Sequence, residues 1–362
     1  MSRKRTGIAS LPLHGGKAPR WLFERMVRLA REISRVACTE IGRKEFLNKL
    51  SDPHWFQAFG CVLGFDWHSS GLTTTVCGAL KEALRGLEKE LGIYACGGKG
   101  GTSRKTPDEI RKLADRCLIN KDPEELIYAS RISAKVDNTA LQDGYQLYHH
   151  TFLCEKDGSW VVVQQGMNSD TRRARRYHWL GDEVSDFVCE PHKAICCDNK
   201  GTMLNMVSKE SKQARDRTTE ISRMSPEKTI KEYRKIEKLT LKARHEVKLE
   251  DIKSDNLYKI LLSTYEEKAQ DFETLLGIRG VGPKTIRALA LMSELIYGNK
   301  PSFEDPARFS FALGGKDGHP YPVNRTAYDE SIKFLKDAVS KSKIGLTEKT
   351  NVFKRLSYFN LV

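Results

Sequence analysis

Hydrophobic positions along the first half of the chain recur mainly at helical spacing. Leu22, Met26, Leu29, Ile33 and Val36 fall on one face and predict a helix over 20–39, followed by a second over 44–50. Asp52 is a natural N-cap for the next apolar run, which begins Pro53-His54-Trp55-Phe56. Further helices are predicted over 76–91, 107–117 and 123–130. The period then changes. Tyr145–Cys154 alternates and is rich in β-favouring residues, Glu155-Lys156-Asp157-Gly158-Ser159 is a turn, and Trp160–Met167 returns. This is a β-hairpin, with Tyr145, Leu147 and His149 expected on one face and Gln146, Tyr148 and His150 on the other.

From Asp198 to about Asp255 aromatics nearly vanish and Lys, Arg and Glu dominate, as in solvated helices joining two domains. Beyond it the pattern is again helical, except for a loop over 301–322, with a helix over 326–340 and a last short one. The expected class is α+β and mostly helical. An N-terminal α+β domain spans 1–198, a charged helical linker 199–255 and a helical domain 256–362.

Composition narrows the partners. With 61 Lys+Arg against 47 Asp+Glu, the formal net charge is +14. That favours a polyanion, because each neutralised phosphate releases condensed counterions. No apolar run is long enough to span a bilayer and no apolar signal segment follows the basic Ser2-Arg3-Lys4-Arg5, so the chain is expected in the cytoplasm, associated with the nucleoid. Nine cysteines without a C-x-x-C pair are expected to be reduced thiols.

The stretch Leu275-Leu276-Gly277-Ile278-Arg279-Gly280-Val281-Gly282-Pro283-Lys284-Thr285 predicts two helices joined by a tight turn, with Val281 plugging the core and Pro283 at the first position of the second helix. Free N–H groups there suit a phosphate oxygen, and Lys284 and Arg287 add charge. This segment resembles the helix-hairpin-helix motif of DNA-repair proteins, which implies contact with a DNA backbone through Gly280, Val281, Gly282, Lys284, Thr285 and Arg287. Arg173 and Arg176, interleaved with aromatics, are further DNA-contact candidates. The glycine-rich basic loop over 96–106 lacks Walker spacing and reads as a backbone contact or a plain flexible loop.

In bifunctional helix-hairpin-helix glycosylases such as endonuclease III, a lysine at the position of Lys284 forms a Schiff base and a later aspartate assists. Here Asn324 stands where that aspartate is expected, and no cysteine follows Cys197 to hold an iron–sulfur cluster. The polar block upstream therefore supplies the other candidates: Lys135 or Lys99 as the amine, with Asp137, His149 or His178 moving protons. Zinc held by His178, His192 and Cys196 is an alternative without a recognised spacing. No metal or cofactor is expected.

Thr6-Gly7-Ile8, Leu11–Gly16, Gly64–Gly71, Gln142–His150 and Gly314–Pro320 together make the chain similar to an archaeal and bacterial family called domain of unknown function 763. Abasic-site lyase activity is associated with archaeal members. The resemblance implies base excision repair: an amine forms a Schiff base at C1′, and β-elimination cleaves the strand on the 3′ side. A DNA-binding protein without activity, and a metal-dependent nuclease using Asp137, Asp143 and the histidines, are the alternatives.

Overall fold

A computed structural model describes residues 18–65, 70–197, 201–237, 254–307 and 325–357. Its helices are α1 Arg20–Glu40, α2 Arg43–Ser51, α3 Pro53–Leu63, α4 Gly71–Leu84, α5 Glu88–Leu91, α6 Thr106–Asp115, α7 Pro123–Lys135, α8 Lys212–Ser222, α9 Pro226–Glu237, α10 Ser254–Glu267, α11 Phe272–Gly277, α12 Pro283–Leu295, α13 Arg325–Lys341 and α14 Leu346–Ser357. The strands are β1 Ile93–Lys99, β2 Leu141–Gln142, β3 Gln146–Glu155, β4 Trp160–Asn168, β5 Arg173–Leu180, β6 Ala194–Cys196 and β7 Leu204–Asn205. The chain is α+β, as its patterning predicts.

Five strands form one antiparallel sheet in the order β1-β3-β4-β5-β6, and β2 pairs with β7 separately. The sheet lies between two layers of helices, which is why β4 is buried along Trp160–Gly166. Leu153, Val161, Val163 and Leu180 face a core built with α1–α4, joined by Leu335, Ala338 and Val339 of α13 and Val352 of α14. Phe152, Val162, Tyr177 and Trp179 face the other core, built with α6–α12. Both cores draw on distant stretches of sequence.

Local signals hold where one element carries them alone. Asp52 Oδ1 accepts the N–H groups of His54 and Trp55, both at 2.8 Å, and so starts α3. The helix expected over 76–91 is instead two, α4 and α5, parted at Gly86, whose φ of +80° a helix does not tolerate. The hairpin forms, but Tyr148 is bulged out of the β3–β4 ladder between Leu147 and His149. That bulge overturns the expected face assignment: Leu147 packs with the Phe152 core, while His149 turns to the other face and bonds Thr151.

The expected solvated linker over 199–255 is corrected where it is described. Ala214, Thr218 and Ile221 of α8 and Tyr233 and Ile236 of α9 are buried, and α8 lies along α12. The buried face of α8 consists largely of small and polar residues, so the charges around it mask it in sequence. The segments 1–17, 66–69, 238–253 and 308–324, with Asp66, His68, Asp317 and Asn324, lie outside the described residues. Among the described residues no helix is long and apolar enough to cross a membrane.

Candidate nucleic-acid interface and buried polar centre

After Lys135, α7 widens into a π-helical turn, Val136–Ala140. Such a turn inserts one residue into the helical ladder and re-aims its neighbours. Here it places Asp137, fully buried, under the sheet. Asp137 Oδ2 accepts from Gln164 Nε2 (2.6 Å) and Trp179 Nε1 (3.0 Å), and Oδ1 lies 2.5 Å from His192 Nε2. Gln164 Oε1 is 2.8 Å from His150 Nδ1, whose Nε2 is 2.8 Å from Ser130 Oγ. The chain Ser130–His150–Gln164–Asp137–His192 thus runs continuously through the interior, and each acceptor in it has a donor. Burial lowers the pKa of His150.

The same turn carries the α11–α12 unit. Lys135 Nζ donates to the Val281 carbonyl at 2.7 Å, and Gln142 Nε2 donates to the carbonyls of Pro283 (2.7 Å) and Thr139 (3.2 Å). Arg287 Nε donates to Gln142 Oε1 at 2.5 Å. Three side chains therefore fasten the turn between α11 and α12 to the end of α7 and to the segment that follows it. Burial lowers the pKa of the Lys135 amine from its usual value. Asp271 caps α11 through the N–H of Thr274, Gly280 takes a φ of +93°, Val281 is buried, and Pro283 opens α12 after Gly282, which offers no capping side chain. Lys284 is exposed, whereas the Thr285 side chain is buried, so only its backbone is available to a ligand.

A second centre holds the start of β5. Arg175 donates to Asp143 Oδ2 (3.1 Å) and to both oxygens of Asp305 (3.1 and 2.7 Å), with its guanidinium 4.8 Å from the Tyr145 ring. Burial raises the pKa of Asp143, opposed by the charge of Arg175 and the Tyr177 hydroxyl, which donates at 2.6 Å.

On the opposite face of the sheet, Arg176 is enclosed by Thr73 Oγ1 (3.3 Å), Gln57 Oε1 (3.1 Å) and the Phe56 ring (4.9 Å). This corrects its reading as a DNA contact, because none of it reaches the surface. His178 is also fully buried there, edge-on to Phe56 at 5.5 Å. Burial, reinforced by Arg176, holds it well below the usual histidine pKa. His149 is pushed down to about 3 by burial, then by His150 and Lys99. His149 and His178 thus lie across the sheet from Asp137 and form no pocket with it. Among the proposed residues, Lys135, the 280–285 turn and Arg287 are brought together, whereas the Asp137 carboxylate is buried against Gln164, Trp179 and His192. Lys99 lies at the end of β1 and Arg173 at the start of β5, half-buried.

His149 has a stability consequence. Its pKa falls from 6.5 unfolded to about 3 folded, so between those values the unfolded chain binds the extra proton. Its contribution is complete above about pH 6.5 and is lost as the pH falls towards 3. Urea midpoints should drop across that window, and His149→Gln should flatten the drop. An equally steep fall in the variant would sink this assignment.

The zinc and metal-nuclease readings find no common site. His192 bonds Asp137 on one face, His178 is on the other, and Asp143 is paired with Arg175. Among the described residues no group of three His, Cys, Asp or Glu side chains converges as metal ligands. Sequence reasoning missed Gln142 as the link to α12 and His192 as the partner of Asp137. Both pairings are long-range and leave no local signal.

The molecule is thus of the α+β class, a five-stranded antiparallel sheet between two helical layers, with the turn between α11 and α12 fastened to Lys135 and Gln142. The chain belongs to the family described as protein of unknown function DUF763, which matches residues 7–323. No curated protein and no solved structure matches it.

Proposed function

We propose that this protein binds DNA through the turn between α11 and α12, acting there as a helix-hairpin-helix motif, and opens abasic sites with Lys135 as the nucleophile. The observation that carries the reading is the position of the Lys135 amine, 2.7 Å from the Val281 carbonyl in that turn and lowered in pKa by burial. A lyase amine must be within reach of the gripped backbone and must shed its proton before it attacks. The place of Lys135 beside that turn and the lowering of its pKa support this role, whereas Lys284 and Lys99 are exposed.

In the reaction, the neutral amine adds to the C1′ aldehyde of the ring-opened deoxyribose, and the carbinolamine takes up a proton from solvent and loses water, giving an iminium ion. The iminium acidifies the C2′ proton. Loss of that proton to a base expels the 3′ phosphate, and water then hydrolyses the imine and returns the lysine. Partial burial keeps the attacking form available at lower pH, so the rate of adduct formation should rise with pH through a value below the usual 10.5 of a lysine.

The test is borohydride trapping on a duplex with one abasic site, with a chelator present throughout. A covalent protein–DNA adduct together with cleavage 3′ to the lesion is expected. Salt-sensitive binding with neither product would leave a DNA-binding protein in which Lys135 only braces the turn. Cleavage that disappears with the chelator would point to metal-dependent hydrolysis instead.

A further inference from the structure

We infer that the turn Gly97–Lys105 is a second contact for the phosphate backbone, so that DNA crosses the end of the sheet between this turn and the α12 start. This rests on the DNA-binding reading above and adds a surface to it. The turn is a 3₁₀ helix, Gly100–Lys105, that begins where β1 ends. It presents Lys99, Arg104 and Lys105, all exposed, and none of them makes an ion pair with a carboxylate among the described residues. The acids that follow in sequence are engaged elsewhere: Asp108 lies 3.7 Å from Arg111, and Glu109 is held by Lys81 Nζ at 2.7 Å and by the N–H of Gly97 at 2.7 Å.

The turn is built rather than loose. Lys81 Nζ holds the Gly97 carbonyl at 2.8 Å, Ser103 Oγ donates to the Gly100 carbonyl at 2.6 Å, and Thr106 Oγ1 to the Ser103 carbonyl at 2.8 Å. Gly97, at φ +84°, passes so close to β3 that a Cβ there would lie 2.3 Å from the His150 carbonyl oxygen. Three cationic side chains are therefore presented on a fixed backbone, and little ordering remains to be done when an anion binds.

Strand register puts this turn at the same end of the sheet as the other candidates. Lys99 pairs with His149 near the start of β3, Gln146 pairs with Met167, and Asn168 pairs with Arg173. Gln146 and Met167 are exposed, so nothing described covers that end. From the same end of β3 the chain runs back to Gln142, which bonds the Pro283 carbonyl at the start of α12. Three exposed cations without an ion pair among the described residues, held at one edge on the side of the α12 start, match the regular charge of a nucleic-acid backbone better than a compact anion.

The experiment measures binding of the full chain to a fluorescent duplex carrying a tetrahydrofuran abasic analogue, over a series of KCl concentrations. The slope of log K against log[KCl] for the variant Lys99→Ala/Arg104→Ala/Lys105→Ala should be shallower by about two to three, close to one for each phosphate no longer neutralised. Its thermal midpoint should match the unmodified protein, since these side chains lie outside the core. Removing Lys112 and Arg116, exposed on and just after α6 away from this end, should leave the slope unchanged. A slope in the triple variant within half a unit of the unmodified protein would overturn the second contact while leaving DNA binding intact. Absence of any salt-dependent binding by the unmodified protein would overturn both.

Discussion

Lys135→Arg should abolish trapping on abasic DNA while leaving affinity for that DNA within about threefold. Arginine keeps the positive charge and a donor for the Val281 carbonyl, which Lys135 holds at 2.7 Å. Its guanidinium stays protonated throughout the working pH range, so it supplies no neutral amine and forms no Schiff base. The expected loss in adduct formation is roughly 10³-fold or more, about 4 kcal/mol of transition-state stabilisation. Lys135→Ala would lose the brace as well, and its effect would mix chemistry with structure. Comparing the two variants separates these roles: trapping by Lys135→Arg at the level of the unmodified protein would make Lys135 a strut and move the chemistry elsewhere.

Arg175→Met should be among the most destabilising single substitutions in the molecule, by roughly 3–5 kcal/mol. It leaves Asp143 and Asp305 buried, their side chains 1% and 4% exposed, without the guanidinium that faces both. It also releases the segment of Asp305 from β5 and loosens the loop that runs from Gln142 to Tyr145. Equilibrium urea unfolding measures the loss. Adding Asp143→Asn and Asp305→Asn to the same chain should recover part of it, because the uncompensated charges are then gone. A loss below about 1 kcal/mol for Arg175→Met alone would mean that the cluster is not a buried charged clamp.

These two residues also mark how far the sequence could be read. Lys135 was legible as a candidate amine, and Gly280-Val281-Gly282-Pro283 as a turn, because each depends on local chemistry. The bond between them was not, since 146 positions separate Lys135 from Val281. Arg176 reads as a DNA contact, yet it and its neighbour Arg175 are both buried, on opposite faces of β5. Their partners, Asp143 and Asp305 for one and Gln57 and Thr73 for the other, come from distant segments. Strand propensity depends on such context, so β5 had no local signature.

β1 was hidden for a different reason. Cys96-Gly97-Gly98 reads as a loop because glycine weakens strands, but here it permits the close approach to His150 that only a residue without a Cβ allows. Alternation correctly separated His149 from His150, and their surroundings differ accordingly. It failed at Tyr148, where a bulge breaks the period. A single extra residue was enough to misassign Leu147.

The most direct test is to identify the residue that carries the sugar. After borohydride reduction on an abasic duplex, nuclease and trypsin digestion followed by mass spectrometry should find the deoxyribose remnant on Lys135, with trypsin failing to cut at that position. An adduct on Lys284 or Lys99, or no adduct from a preparation that cleaves the strand, would contradict the assignment.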